Sequence, residues 1–305
     1  EDTGYLPRIA TLVDRTLAGM GLNGQAIIPL ILGFGCVTMA FISTRMLATD
    51  RERRIAIFLL ALCVPCSAQL AVIIAIMAGQ GAAYMTLYIV LIFCLLVFTG
   101  ALLNSFLPGG VSPLLIELPP LRLPKIRNIM VKAGRRSYDF IREAFPIFAA
   151  GTLLLGILDV TGLLNGLRKI LEPVTINWLH LPAEVADILV MGLIRKEFGA
   201  AAILNLHMLP LQNFVILLTL SLTVPCIAST MVIFKERGWR EGIMIWLTVF
   251  FLAFLIGGGA TRLLESSSGF GYLQIPLLSA LIIAATAGLL VLLRLTVSKK
   301  SGDSI

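Results

Sequence analysis

The 305-residue chain is 58% apolar and only 13% charged, against about 45–50% and 25% in an ordinary soluble domain. Too few polar side chains remain to cover a soluble fold, and the apolar excess collects in runs of about twenty residues, enough to cross ~30 Å of hydrocarbon. The net charge of +7 sits mostly between those runs, with no basic stripe interleaved with aromatics, which excludes nucleic-acid binding.

The expected class is an all-α, polytopic transmembrane helical bundle. The chain opens at Glu1-Asp2-Thr3-Gly4 with no signal peptide, and is expected to be a fragment or one part of a longer polypeptide. Residues 6–20 place apolar positions at helical spacing around Arg8, Asp14 and Arg15, which predicts an amphipathic interfacial helix. Apolar segments follow near 26–47, 55–78, 84–106, 145–164, 185–206, 211–234, 241–263 and 272–297. Between the third and fourth, PGGVSPLLIELPPLRLP is too rich in proline for a helix and is expected to run extended. KIRNIMVKAGRRSYDFIREAF then predicts an interfacial helix feeding the fourth segment.

Basic residues orient these segments. The loop at 45–54 carries Arg45, Arg51, Arg53 and Arg54, and the 107–143 connector holds Arg122, Lys125, Arg127, Lys132, Arg135, Arg136 and Arg142. Both are expected on the cytoplasmic side, as are KERGWR at 235–240 and the tail with Arg294, Lys299 and Lys300. Three full crossings between 143 and 235 would put KERGWR outside, so one segment is expected not to span. The segment 185–206, with Asp187, Arg195, Lys196 and Glu197 in its middle, is expected to form a re-entrant hairpin rather than a lipid-facing span.

A repeat emerges from the same segments. Gly33-Phe34-Gly35-Cys36 is followed by Val64-Pro65-Cys66, and Gly192 with Glu197 by Val224-Pro225-Cys226. Gly33 to Cys66 is 33 residues and Gly192 to Cys226 is 34, and LLALCVPCSAQLAV matches LTLSLTVPCIASTMV. On the parity count 55–78 runs outward and 211–234 inward, so two inverted repeats with broken helices are expected.

The five cysteines all lie inside apolar segments, so a disulfide framework is not expected. Proline within a span frees a carbonyl one turn back, and each Val-Pro-Cys sets a thiol beside that break. Thiol and carbonyl donors suit softer transition metals. Cys36, Cys66 and Cys226 are therefore the candidate metal path, with Glu197 as its charge partner, because a carboxylate at membrane depth is expensive. Cys63, one helical turn before Cys66, with Ser67, Gln69, Ser229 and Thr230 are candidate path-lining groups. Cys94 reads as packing and Asp159 as interfacial. Packing cysteines, and a salt bridge of Glu197 with Arg195 or Lys196, are the structural alternatives. Enzymatic chemistry lacks its parts: His180 and His207 are the only histidines, and H-E-x-x-H, G-x-S-x-G and a P-loop are absent.

The strings GYLPRIATLVDR, GLNGQAIIPLILGFGC, STRMLATDRERR, VPCSAQLAV, ELPPLRLPKIRN, LIRKEFGAAAIL and VPCIASTMVIFKERG resemble, in order and over essentially the whole chain, the membrane region of the FeoB ferrous-iron permeases. The resemblance implies two gate-type repeats moving Fe²⁺ across a bacterial inner membrane. It also implies a GTP-binding domain absent from this chain, with GTP held only there, and a small FeoA-like partner. The cysteines of GFGC and of the two VPC motifs (Cys36, Cys66, Cys226) are those implied to line the iron path, and Lys196-Glu197 matches the re-entrant element. Two places depart from the family pattern: Val37-Thr38-Met39 follows GFGC where Asn-Val-Pro is usual, and Gln69 and Ala71 stand where arginine and proline are frequent.

The expected organisation is a first repeat and following span over 1–106, a cytoplasmic connector over 107–143, a second repeat over 144–263, and a final span with its tail over 264–305. The leading function is a ferrous-iron permease core rather than an enzyme, in contact with lipid and open to assembly with further copies of itself. A gate-family permease for nucleosides or another small solute, and a membrane scaffold without transport, are the alternatives.

Overall fold

The computed structural model describes residues 5–80, 82–110, 112, 126–160, 163–182, 184–194, 199, 202–203, 208–223 and 226–266, and all regular elements among them are helical. The predicted amphipathic helix is α1, Tyr5–Gly19. The chain then turns at Gly21, whose φ of 77° suits glycine. Asp14 Oδ1 accepts the Gly24 N–H at 2.7 Å and closes the turn. The segment 26–47 is not one helix: α2 (Ile27–Gly35) and α3 (Val37–Ser43) are separated by Cys36 in extended backbone. α1 and the stretch Gly24–Gly35 meet at 106°.

Thr49 caps α4 (Asp50–Cys63) by accepting the Glu52 N–H at 3.2 Å. After a break at 64–66 the same path continues as α5 (Ser67–Ala78), and α6 (Ala82–Phe106) returns. The second half comprises α7 (Ile126–Val160), α8 (Leu163–Asn177), α9 (Glu184–Ile194), α10 (Pro210–Leu222) and α11 (Ile227–Ser266), the last bent at Gly238. Three stretches among the described residues are long and apolar enough to cross a membrane: Asp50–Ala78, Tyr84–Phe106 and Pro210–Arg262.

The core is built around α4 and α10. Every side chain from Ile55 to Cys63 and from Phe214 to Leu222 is buried, as expected of helices that are apolar all round. α6 differs, burying Tyr88, Leu91, Leu95 and Leu103 while exposing Ile89, Phe93 and Val97 along one stripe. The two halves meet their central helices alike. A Cβ on Gly33 would lie 2.7 Å from Leu60 Cδ2, and one on Gly192 would lie 2.5 Å from Leu220 Cδ1. Leu60 and Leu220 each stand six residues before a Val-Pro-Cys cysteine. A side chain at either glycine would make the facing leucine shift.

Hydrogen bonds and ion pairs fix relative directions. Thr38 bonds Ser229 and Arg45 bonds Glu236, the same offset of 191 residues at both ends, so α3 and the first part of α11 run parallel. α4 runs back beside α3, its start near Arg45, whose carbonyl accepts from Arg53, and its end near Gly33. α10 opposes α5, because Tyr84 stacks near Phe214 (centroids 6.2 Å apart) while Gln69 reaches Ser221. The loops 45–54 and 235–241 share one face: Arg45 pairs with Glu236, Arg54 with Glu241 at 2.6 Å, and Arg237 with Asp50 at 3.4 Å and Glu241 at 2.7 Å.

Several sequence readings change. The interfacial helix before 145 and the fourth segment are one continuous helix, α7, which runs through Pro146. α8 was not anticipated. Asp187 is not mid-span; it lies in the first turn of α9, where a carboxylate complements the exposed N–H groups. In the expected hairpin, Arg195, Lys196 and Glu197 fall outside the described residues, as do 113–125 of the proline-rich run and the segment 272–297. At Gly199 the chain is back against α9: a Cβ there would stand 2.7 Å from the Ile188 carbonyl oxygen and 2.9 Å from Gly192 Cα. A continuing helix would have carried these glycines about 10 Å apart.

Backbone cannot yield as a side-chain tip can, so Gly199→Ala is expected to lower stability by about 1–3 kcal/mol. Gly134→Ala, in helix α7 with open space around it, is expected to be neutral or to stabilise by up to about 1 kcal/mol. Thermal unfolding of the two variants in detergent checks the pair.

Candidate functional site at three helix breaks

Each of the three singled-out cysteines stands immediately ahead of a helix. Cys36 (φ −150°, ψ 114°) joins α2 to α3, and Cys66 (φ −76°, ψ 165°) leads into α5. Their carbonyls accept the first helical N–H groups, from Ala40 at 3.0 Å and Leu70 at 2.9 Å, and the Cys226 carbonyl accepts from Thr230 at 2.9 Å. Pro65 has no N–H to return to the carbonyl one turn back in α4. Neither the Cys36 nor the Cys66 side chain makes a capping bond. All three thiols are half-buried.

Polar side chains join the breaks. Ser67 Oγ donates to the Gly35 carbonyl at 2.9 Å, which ties the second break to the first. Thr38 and Ser229 share a buried hydroxyl–hydroxyl bond at 2.8 Å, and Ser229 Oγ also lies 3.3 Å from Cys226 Sγ. The third break is thereby fastened to α3, two residues beyond Cys36. Below them Gln69 Nε2 and Tyr88 Oη both donate to Ser221 Oγ, at 3.0 and 2.7 Å, and Ser221 donates to the Leu217 carbonyl at 2.7 Å. Ser221 thus joins α10 to both α5 and α6. Gln69 Oε1 is buried and meets no donor among the described residues.

The sequence-predicted residues divide accordingly. Cys36, Cys66 and Cys226 occupy the breaks, and Ser67, Gln69 and Ser229 take part in the joining bonds. Thr230 is half-buried on the first turn of α11, and Cys63 is buried at the end of α4. Cys94 lies on α6, half-buried. Glu197 lies outside the described residues. Among the described residues, no three His, Cys, Asp or Glu side chains gather as a group able to hold one metal ion. The arrangement therefore offers thiols one break at a time, with a hydroxyl beside that of Cys226. Sequence reasoning missed Tyr88 and Ser221, and saw Thr38 only as a family departure. Their common signal is a hydroxyl inside an otherwise apolar helix.

Comparison with known proteins agrees with this architecture. A family model described as "Gate: Nucleoside recognition" matches residues 1–80 and 141–240, and one described as "Ferrous iron transport protein B C terminus" matches residues 85–136. The Fe(2+) transporter FeoB of Methanocaldococcus jannaschii is 27% identical over 299 residues, 84% of this chain and 44% of that protein. Its counterpart in Staphylococcus aureus (strain COL) is 27% identical over 278 residues, 79% of this chain and 41% of the relative. That of Legionella pneumophila (strain Lens) is 32% identical over 173 residues, 55% and 22% of the two chains. The chain thus spans less than half the length of these curated relatives. No solved structure matches it significantly.

The Thr38–Ser229 bond is the sharpest link between the halves. Thr38→Val and Ser229→Ala are each expected to cost about 1–2 kcal/mol, with a coupling of about 0.5–1.5 kcal/mol in the double-mutant cycle, because the second change removes the partner the first left unpaired. Unfolding of the four proteins in one detergent measures the coupling.

Proposed function

The chain belongs to the gate family, in the form carried by the membrane region of FeoB, and on that premise we propose that it is the permease core of a ferrous-iron import system. One observation carries this reading: three half-buried cysteines each stand at a helix break, and side-chain bonds draw the breaks together. Thiols beside hydroxyls and peptide oxygens suit a borderline transition-metal ion better than Na⁺ or Mg²⁺.

The cargo passes Cys36, Cys66 and Cys226 in steps, each thiol acting with nearby oxygens such as Ser229 and Gln69. Glu197 supplies charge along the same route. Alternating access comes from two inverted repeats. The parallel course of α3 and the first part of α11, with α4–α5 leading the other way, supports that inversion. The return of Gly199 to α9 supports a re-entrant hairpin over 185–206. A GTP-binding domain outside this chain gates the cycle, an FeoA-like protein assists it, and the setting is a bacterial inner membrane.

A second reading has an observation of its own. The hydroxyl and amide groups of Thr38, Ser229, Ser221, Tyr88 and Gln69 gather next to the breaks, and the matching family is described by nucleoside recognition. In that case the polar groups hold an organic solute and the thiols are incidental.

Cellular uptake of ⁵⁵Fe²⁺ through the complete transporter containing this chain separates the two. Cys66→Ser and Cys226→Ser are expected to lower uptake by roughly tenfold each at unchanged protein level, while Cys94→Ser leaves it unaltered. Normal uptake in the Cys66/Cys226 double variant, or competition by uridine but not Mn²⁺, would remove the iron-path reading.

A further inference from the structure

At the basic end of the bundle, away from the cysteines, lies a carboxylate that the transport reading does not use. Glu52 is completely buried in the first turn of α4. The sequence Thr49-Asp50-Arg51-Glu52 has the form of a capping box, in which the glutamate would return to the Thr49 N–H. Only half of that box is made: Thr49 accepts from Glu52 N, while the Glu52 carboxylate turns inward. Its Oε1 accepts both the N–H of Ser112 at 2.9 Å and the Ser112 hydroxyl at 2.7 Å.

That hydroxyl hydrogen is then spent, so Ser112 Oγ can only accept from Asn23, whose Nδ2 lies 2.9 Å away. The orientation of the Asn23 amide follows, and its Oδ1 is directed elsewhere. Asn23 is 2% exposed. Glu52 Oε2 and Asn23 Oδ1 are both buried, and neither meets a donor among the described residues. Two buried oxygens left open in one linked cluster are a costly arrangement unless something positive sits against them.

No side chain among the described residues supplies the charge. Arg51 donates to the carbonyls of Gly21, Asn104 and Leu107 and to Asn104 Oδ1. Arg53 donates to the carbonyls of Leu47 and Arg45, and Arg54 to Glu241. Three guanidiniums within two residues of Glu52 are thus turned away from it.

We propose that Glu52 Oε2 and Asn23 Oδ1 hold an alkali-metal cation, Na⁺ or K⁺, which clamps the chain beyond α6 to the junction of α1, α2 and α4. The open donors are oxygens only, the choice of a hard ion. One carboxylate balances a single positive charge. A divalent ion would leave an excess charge beside Arg51, Arg53 and Arg54 in a poorly solvated place. Because Ser112 lies in the connector, six residues beyond the end of α6, the ion sets how firmly the connector is held to the membrane core.

The test uses the purified chain in detergent at constant ionic strength and pH. NaCl or KCl is expected to raise its unfolding midpoint by about 3 °C over choline chloride. Glu52→Gln, which keeps the shape but not the charge, is expected to erase the difference. Asn23→Asp adds a second carboxylate and is expected to transfer the response to Ca²⁺, which decides the matter even if the first variant folds poorly. Equal midpoints of the parent in all three salts would overturn the site, as would a salt response that survives in Glu52→Gln. A midpoint that depends on pH but not on the cation would assign Glu52 as a buried neutral acid instead.

Discussion

In hydrocarbon every backbone N–H and C=O must find a partner within the protein, so a helix can be interrupted only where other protein surrounds the interruption. This chain interrupts its helices at Cys36, at 64–66 and between Leu222 and Ile227, and the fold arranges itself around those places. α4 and α10, each leading into a break, are the most completely enclosed helices. α6, unbroken, leaves Ile89, Phe93 and Val97 exposed along one side. Glycines at 33 and 192 let the neighbouring helices close on the central pair just before its helices end. Ser67, Thr38 and Ser229 then supply hydrogen bonds where regular helix geometry has stopped supplying them.

The charged face is the second half of the same arrangement. Arg45, Asp50, Arg54, Glu236, Arg237 and Glu241 interlock the loops that follow α3 and precede the bend of α11. Exposed pairs of this kind contribute little singly, but Arg237, with its side chain 7% exposed and two carboxylates to pair with, is more firmly held. Gly238 adopts φ 77° directly after it, and the Arg237–Glu241 pair spans that bend. Both charged stretches lie on one face, the arrangement expected if an even number of crossings separates them.

Much of this was legible because it rests on chemistry that any sequence displays. Proline and glycine within apolar runs mark interruptions, and arginine clusters mark one face. Other features could not be read because they depend on partners distant in the chain. Pro146 looks like a stop, yet α7 passes through it, since a bundle can re-satisfy the carbonyl it frees. Residues 163–177 carry Arg168, Lys169 and Glu172 among their leucines and so resemble a loop between spans, although their apolar positions recur at helical spacing. Asp187 seemed an intramembrane charge until the start of α9 at Glu184 placed it at a helix end. Thr38, Tyr88 and Ser221 gain meaning only from the residues they meet, which are 133 to 191 positions away.

The separation of the thiols bears on the proposed transport. Three thiolates in one shell would carry three negative charges against the two of Fe²⁺, a trap from which release would be slow. A conducting route needs sites that bind well enough to strip water and weakly enough to let go, and several mixed sites in series meet both demands. One thiol per break, with a hydroxyl such as Ser229 beside Cys226, is such a series. Its members lie on helices from both halves, so a movement of one half against the other changes which thiol and which oxygen face each other. The Thr38–Ser229 bond crosses that boundary next to Cys226 and two residues beyond Cys36. Any such movement must therefore either carry the two residues together or break the bond between them, and breaking it would expose two hydroxyls to the ion as the path opens.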